Sequence, residues 1–220
     1  MSFAMIPAEL KERDQWVVWR LEDREGKPTK VPYRGYHTVA KASSVDPGTW
    51  TSFERAVAAA EEEGIGGIGY VFATDDPFVG IDLDSLDAEA AAIILALDSY
   101  TEHSISGRGA HVIVRGHLNG HPRNRKGPLE VYDAGRYFIV TGDHLTGTPL
   151  TIEQRQSELE RVLAQFLPAQ EGRGQALALS PGPVPLDDRE LIDKASSARN
   201  GADFKTLYEG GVGGLVSIPQ

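Results

Sequence analysis

The sequence predicts an α+β protein in which helices flank a mainly antiparallel or mixed β-sheet. Short runs rich in Val, Ile, Tyr, Phe and Trp have the length and composition of strands. Between and after these runs, apolar residues recur at helical spacing. Strands and helices mixed in this order are typical of a layered α+β domain.

The first part of the chain is predicted to form an N-terminal αβ module. Tryptophan and valine dominate its first strand, and Thr51 or Ser52 can cap the helix that ends the module. Glycine and proline mark a turn over residues 25–28. The predicted elements are a helix at 7–13, a strand at 16–21, an extended segment at 30–33 and a helix from 51 or 52 to 63.

The central part alternates further strands and helices. Asp75, Asp76 and Pro77 lie between two apolar runs and predict a β-hairpin. Residues 133–135 are interpreted as a second hairpin turn. The predicted strands are 68–73, 78–83, 100–103, 110–115, 129–132 and 136–141, with an Ala-rich helix at 88–97 and an amphipathic helix at 152–167.

Composition divides the chain into three parts. Residues 1–167 are expected to form the main domain. From Pro168 onward Gln, Gly, Ala and Pro predominate, which predicts a linker over residues 168–186. Residues 187–220 contain two short helical patterns and are expected to begin a helical accessory region that is truncated, its remainder being missing from the chain.

Residue content excludes several classes of protein. The absence of cysteine excludes disulfides, thiol catalysis and cysteine-containing zinc sites. Without a long apolar run or a leader pattern, we expect a cytoplasmic protein that does not contact a membrane. The net charge of −10 argues against indiscriminate binding to nucleic acid.

One interval nevertheless lacks acidic residues. No acid lies between Glu102 and Glu130, and the interval contains several basic side chains, so a local surface for an anionic ligand is predicted. The alternative is a basic loop that merely faces solvent. The candidates for binding DNA in this interval are Arg115, Arg123, Arg125 and Lys126.

Two acids interrupt a strand that otherwise has the composition of a buried one. Because strand side chains alternate, Asp82 and Asp84 are expected to face the same way. Neighbouring carboxylates repel each other and resist burial unless a cation lies between them. A turn or helix cap would explain Asp84 alone but not Asp82, so the pair predicts a metal site.

A glycine-rich loop and a third acid complete the candidate site. Strand parity places Glu130 and Tyr132 on one face, which makes Glu130 the better third carboxylate. Oxygen ligands favour Mg²⁺ or Mn²⁺, and three converging acids can hold two such ions. The loop can approach phosphate oxygens closely, and a structural histidine is the alternative for His111. The loop residues concerned are Ser106, Gly107, Arg108, Gly109 and His111.

The order of these motifs resembles the archaeo-eukaryotic primase superfamily. An apolar strand with Asp-x-Asp precedes a Ser-Gly-x-Gly-x-His strand, which precedes an apolar-Glu strand. More narrowly, residues 5–167 resemble the primase-polymerase domain of phage and plasmid replication proteins. Further segments that carry the resemblance are residues 16–19, 26–33, 46–53, 67–72 and 135–142.

The resemblance implies a catalytic core built on an RNA-recognition-motif-like mixed sheet flanked by helices. Asp82, Asp84 and Glu130 fall on the metal-binding acids of the family. His111 falls on its phosphate-binding histidine, with Ser106 and Arg108 as further phosphate contacts. The resemblance also places Arg136 and Tyr137 near the incoming nucleotide, with Tyr137 a candidate for sensing the sugar 2′ position.

The implied function is that of a DNA polymerase and primase in phage or plasmid replication. It would add nucleotides from nucleoside triphosphates to a primer 3′ end on a DNA template, by a two-metal-ion mechanism. The family's zinc element is absent, so we expect extension without efficient de novo priming. Residues 187–209 resemble the start of a helical accessory region ahead of a helicase domain. A two-metal nuclease and a catalytically silent nucleic-acid-binding module remain alternatives.

Overall fold

The computed structural model describes residues 3–121 and 124–168, which contain two five-stranded antiparallel sheets and four α-helices. This architecture confirms the α+β class. The linker predicted at 168–186, apart from Pro168, and the helical region predicted at 187–220 lie outside the described residues.

The first four strands and the last strand form sheet A, and the five strands between them form sheet B. The strands are β1 (Trp16–Arg24), β2 (Lys27–Arg34), β3 (His37–Lys41), β4 (Gly67–Phe72), β5 (Phe78–Leu83), β6 (Thr101–His103), β7 (Ala110–Arg115), β8 (Arg125–Lys126), β9 (Leu129–Tyr132) and β10 (Arg136–Val140). The helices are α1 (Ala8–Lys11), α2 (Phe53–Ala59), α3 (Ala88–Leu97) and α4 (Gln156–Phe166), with short 3₁₀ turns at Phe3–Met5 and Pro47–Thr49. Sheet A has the strand order β10-β4-β1-β2-β3, and sheet B has the order β6-β7-β5-β9-β8.

Sheet A forms around the hairpin of β1 and β2. Glu25 and Gly26 have φ angles of 55° and 76°, which is the left-handed backbone of a two-residue turn that suits twisted strands. Trp16, Val18 and Tyr70 from this sheet are buried in one hydrophobic core with residues of α1 and α2. That core also takes side chains from sheet B, so the two sheets share it.

Sheet B has different neighbours on its two faces. Val79, Ile81 and Leu83 of β5 are buried in a second core with α3 and α4. Alternation along β5 therefore turns Asp82 towards the opposite face, away from both helices. The helix caps agree with the sequence at α2, where the Ser52 side chain accepts a hydrogen bond from the Arg55 amide.

Both predicted hairpin turns prove to be wrong. The chain crosses from sheet A to sheet B between β4 and β5, and returns between β9 and β10, so neither pair is hydrogen-bonded. At the first crossing the buried Asp76 carboxylate accepts hydrogen bonds from the amides of Ala73 and Phe78 and from the Gln15 side chain. These bonds hold a bend that resembles a hairpin only in its local sequence.

The structure also differs from the sequence predictions in the number of sheets and strands and in the length of the first helix. The sequence predicts one mainly antiparallel or mixed sheet; the pairs of named strands are antiparallel, but they form two sheets rather than one. The first helix spans only Ala8–Lys11, and the short strands β3 and β8 were not predicted. Within residues 3–121 and 124–168, no helix is both long enough and apolar enough to cross a membrane.

Candidate active site

One row of paired residues crosses all five strands of sheet B. Glu102 on β6 pairs with His111 on β7, which pairs with Asp82 on β5. Asp82 in turn pairs with Glu130 on β9, and Glu130 with Arg125 on β8. Directly paired residues project from the same face of a sheet. His111 and Glu130 therefore lie beside Asp82, and Glu102 and Arg125 lie one strand further away on the same face.

Asp82 lies at the centre of this row. Its side chain is 28% exposed, and its Oδ1 is 3.6 Å from Nε2 of His111. Burial raises the pKa of the Asp82 carboxyl above its ordinary value; the charge of His111 acts in the opposite direction, while Asp84 and Glu130 add to the rise. A cation bound here would relieve this electrostatic penalty.

Asp84 follows the end of β5, is exposed, and faces the same cleft as Asp82. The cleft has a volume of about 750 Å³ and lies between residues of sheet A and sheet B. The structure therefore confirms the prediction that Asp82 and Asp84 face the same side. The cleft is lined by Thr29, Lys30, Asp82, Asp84, Ser104, Ile105, Ser106, Arg108, His111 and residues 136–139.

The glycine-rich loop contributes Ser106 and Arg108 to the lining of the cleft. The side chains of Ser104 and Ser106 lie 3.0 Å apart and accept hydrogen bonds from the amides of Gly109 and Arg108. At Gly109 there is no space for a side chain, because a Cβ atom would lie 2.0 Å from the carbonyl oxygen of Leu83. Gly107 has a φ of 69°, which favours glycine.

Glu130 lies beside the cleft, with its carboxylate already engaged by the protein. Its Oε1 is 3.0 Å from Nη1 of Arg125, and its Oε2 is 3.3 Å from Nη2 of Arg136. The Tyr132 hydroxyl also donates to Oε2 at 2.8 Å, as expected for residues that share a face. Asp133 differs, since it accepts from the amide of Leu118.

Arg136 and Tyr137 belong to β10 of sheet A and line the cleft from the other side. The Arg136 guanidinium lies 5.0 Å from the ring centre of Tyr132 in addition to its pairing with Glu130. The Tyr137 hydroxyl donates to the backbone carbonyl of Lys30 at 2.8 Å. Burial raises the pKa of Tyr137 to about 12.

The four predicted DNA-binding residues do not form one cluster. Arg115 is at the Phe78 end of β5, where it pairs with Glu9 and stacks 5.2 Å from the Phe78 ring centre. Arg125 pairs with Glu130, and Lys126 is exposed on the same short strand. Arg123 lies outside the described residues, and a DNA-binding role for the four stays a prediction.

Several cleft residues were not identified from the sequence. Ser104 and Ile105 precede the glycine motif, and their nearness to Ser106 was the one available signal. Thr29 and Lys30 come from β2 of sheet A. Their contribution depends on how the two sheets pack, which no local pattern predicts.

The donor set of the cleft suits a hard divalent cation in part. In the part of the chain that the structure describes, no three His, Asp or Glu side chains form a group that could hold a metal ion by themselves. Asp82 and Asp84 supply carboxylate oxygens, whereas both oxygens of Glu130 face arginines. Mg²⁺ is commonly bound by one or two carboxylates together with water and substrate phosphates, so two aspartates fit such an ion.

Fold and site together define an α+β protein with acidic and basic groups facing one cleft between two sheets. The chain is 34% identical, over 203 residues and 86% of its length, to a protein named DNA primase-polymerase from Nitratiruptor phage NrS-1. It spans 27% of the length of that relative. No protein-family model matches the chain. The chain is thus a homologue of a phage primase-polymerase, and the resemblance found in its motifs is confirmed.

Proposed function

We propose that the chain is the nucleotidyl-transferring part of a DNA primase-polymerase. The observation that carries the proposal is the meeting of Asp82 and Asp84 with His111 and the loop residues Ser106 and Arg108 in one cleft. The name of the phage relative supports a primase-polymerase role at the level of the class. A DNA template, a primer and nucleoside triphosphates are the substrates that this class of activity requires.

Asp82 and Asp84 would hold Mg²⁺ or Mn²⁺ in this function. A bound ion of this kind activates an attacking oxygen and stabilises charge on phosphate oxygens. The triphosphate itself would complete the coordination sphere that two aspartates leave open. Glu130 remains the candidate for a third ligand, and it would have to exchange its contacts with Arg125 and Arg136 to act as one.

Basic groups in the cleft would bind the triphosphate. His111 and Arg108 lie on the side of sheet B, and Arg136 lies across from them on sheet A. Charged donors held in place at a phosphate stabilise the negative charge that develops when pyrophosphate leaves. Tyr137, with its hydroxyl bonded to Lys30, is proposed to contact the sugar through its ring and hydroxyl oxygen.

The catalytic core in this proposal is an RNA-recognition-motif-like unit within sheet B. Supporting it is the order β9-β5-β7-β6, a four-stranded antiparallel arrangement whose apolar face is covered by α3 and α4. The relative is much longer than this chain. We therefore include a further helicase domain in the full-length protein as part of the proposal.

Primer extension tests the proposed function directly. Replacing both aspartates, Asp82→Asn with Asp84→Asn, is expected to lower incorporation by at least about a thousandfold, because the metal ligands are lost. The assay would compare deoxynucleotides with ribonucleotides and Mg²⁺ with Mn²⁺. A matched control is Asp14→Asn with Asp75→Asn, since both residues are exposed and the charge change is the same.

Two outcomes would contradict the proposal. Undiminished extension by the double variant would remove Asp82 and Asp84 from the reaction. Cleavage of labelled DNA with Mn²⁺ and without nucleotides, in the absence of any extension, would favour the two-metal nuclease. Robust primer synthesis on bare template would show that the expected limitation to extension is wrong.

A further inference from the structure

Glu102 on β6 is a buried carboxylate one strand away from the cleft. The residue is 0% exposed, although glutamate is rarely buried to this degree. Burying such a charge is costly unless hydrogen-bond donors surround it. The residues around Glu102 provide these donors, which indicates a defined role rather than an accident of packing.

Three donors contact the Glu102 carboxylate besides the neighbouring histidine. The Tyr100 hydroxyl donates at 3.0 Å, and the amides of Thr141 and Gly142 donate at 3.0 and 2.9 Å. The two amides can only donate, and the Tyr100 hydroxyl donates here, so the carboxylate accepts a hydrogen bond at each of these contacts. The bonds also tie the chain that leaves β10 of sheet A to β6 of sheet B.

The same carboxylate faces His111. Its Oε1 lies 3.4 Å from Nδ1 of His111, and the other ring nitrogen lies 3.6 Å from Oδ1 of Asp82. The ring is also held from one side by Phe138, whose centre is 5.1 Å away. A ring nitrogen directed at a buried acceptor restricts the orientation of an imidazole and determines which nitrogen carries hydrogen.

We propose that Glu102 is a positioning residue that acts through His111. It accepts a hydrogen bond from Nδ1 of His111 and thereby orients the ring so that Nε2 faces the cleft, where the nucleoside triphosphate binds. The identity of that ligand rests on the proposed function, whereas the orientation of the ring does not. Glu102 itself does not touch the ligand.

The first test is nitrogen-15 NMR of the histidine rings in the complete 220-residue chain. Comparison with His111→Ala identifies the signals of His111. We expect a proton on Nδ1 in the unaltered protein and a shifted Nδ1 signal in Glu102→Gln. The exposed Glu89→Gln serves as a control with the same charge change and should leave His111 unaltered.

A bare Nδ1 in the unaltered protein would overturn the proposal, and this measurement does not depend on the folding of any variant. A His111 signal that is the same with and without Glu102→Gln would overturn it as well.

The second test separates nucleotide binding from turnover in primer extension. Glu102→Gln is expected to raise KM for the nucleotide about tenfold and to lower kcat as well, because a misplaced His111 weakens both the binding of the triphosphate and the stabilisation of the charge that develops when pyrophosphate leaves. In a His111→Ala background the same substitution should have no further effect on KM.

Equal losses in both backgrounds, or an unchanged KM, would mean that Glu102 only stabilises the fold. Failure of the unaltered protein to extend any primer would instead refute the proposed function, and the NMR result would still decide the positioning role.

Discussion

Asp82 is a carboxylate whose surroundings oppose its own charge. Burial is the main reason that its pKa is raised, and the acidic neighbours Asp84 and Glu130 increase the effect. Residues of this kind are typical of functional sites, where the fold is less stable than it could be in exchange for activity. Because the pKa of Asp82 is raised, ionisation of this carboxyl lowers the stability of the folded protein.

The contribution of Asp82 to the free energy of unfolding should fall as pH rises past the ordinary aspartate pKa of 3.8, because the unfolded chain releases the Asp82 proton before the folded one does. The loss is complete above the raised pKa. Asp82→Asn lacks this penalty, so its stability relative to the unaltered protein should increase with pH over the same interval. Urea unfolding in the presence of a chelator, over a pH series, measures the difference.

The exposed Asp14→Asn is the control for this experiment and should show no such gain. A stability difference for Asp82→Asn that shrinks as pH rises would contradict the assignment of burial as the main cause.

Gly109 holds the glycine-rich loop against the end of β5. A Cβ atom there would lie 2.0 Å from the Leu83 carbonyl oxygen and 3.1 Å from that of Asp84, and backbone cannot easily move away. We expect Gly109→Ala to lose about 1–3 kcal/mol of stability. Displacement of Asp84 should also weaken Mn²⁺ binding, which calorimetry can measure.

A glycine outside the cleft provides the comparison. Gly64 has a φ of 81°, and a Cβ atom added there would meet no heavy atom within 4 Å, so Gly64→Ala introduces only backbone strain of about 1 kcal/mol. Its Mn²⁺ binding should equal that of the unaltered protein. Equal Mn²⁺ affinities for the two variants would refute the role of close packing at Gly109.

At the scale of elements, the crossing from β4 to β5 depends on one buried side chain. Asp76 is 4% exposed and also accepts a hydrogen bond from the Tyr70 hydroxyl. Asp76→Ala would leave this hydroxyl and the amides of Ala73 and Phe78 without this acceptor, and the Gln15 side chain would keep only its bond to the Val71 carbonyl. We expect a loss of about 3 kcal/mol, measured by urea unfolding.

The neighbouring Asp75→Ala is the matched control, since Asp75 is exposed in the same bend. Similar stabilities of the two alanine variants would mean that the crossing is held by something other than the Asp76 carboxylate.

The crossings also explain which elements could be predicted. Apolar, β-branched runs such as β5 and β7 were found at their actual positions because composition and alternation are local properties. Which sheet a strand joins is not local. Asp75, Asp76 and Pro77 have the composition of a hairpin turn. The side chain of Asp76 is held at the crossing by Tyr70 and by Gln15, and Gln15 lies 61 residues away in the sequence, beyond the reach of a local pattern.

At the scale of the whole molecule, two sheets share one core and leave a cleft at its edge. Alternation predicted correctly that Asp82 and Asp84 share a side. It could not predict that Lys30 of sheet A faces them, or that arginines from two strands occupy both oxygens of Glu130. These facts arise from packing between sheets.

The pairing of Asp82 with Glu130 also restricts which insertions and deletions the chain can accept next to β9. Side chains alternate along β9, so a shift of its pairing with β5 by one residue would turn Glu130 towards α3 and α4 and bring Leu129 or Val131 to the cleft side. A shift by two residues would restore the parity. Insertions and deletions in the turn at Gly127 and Pro128 that alter this pairing therefore keep Glu130 on the cleft side only in even steps, and even then Glu130 no longer lies opposite Asp82.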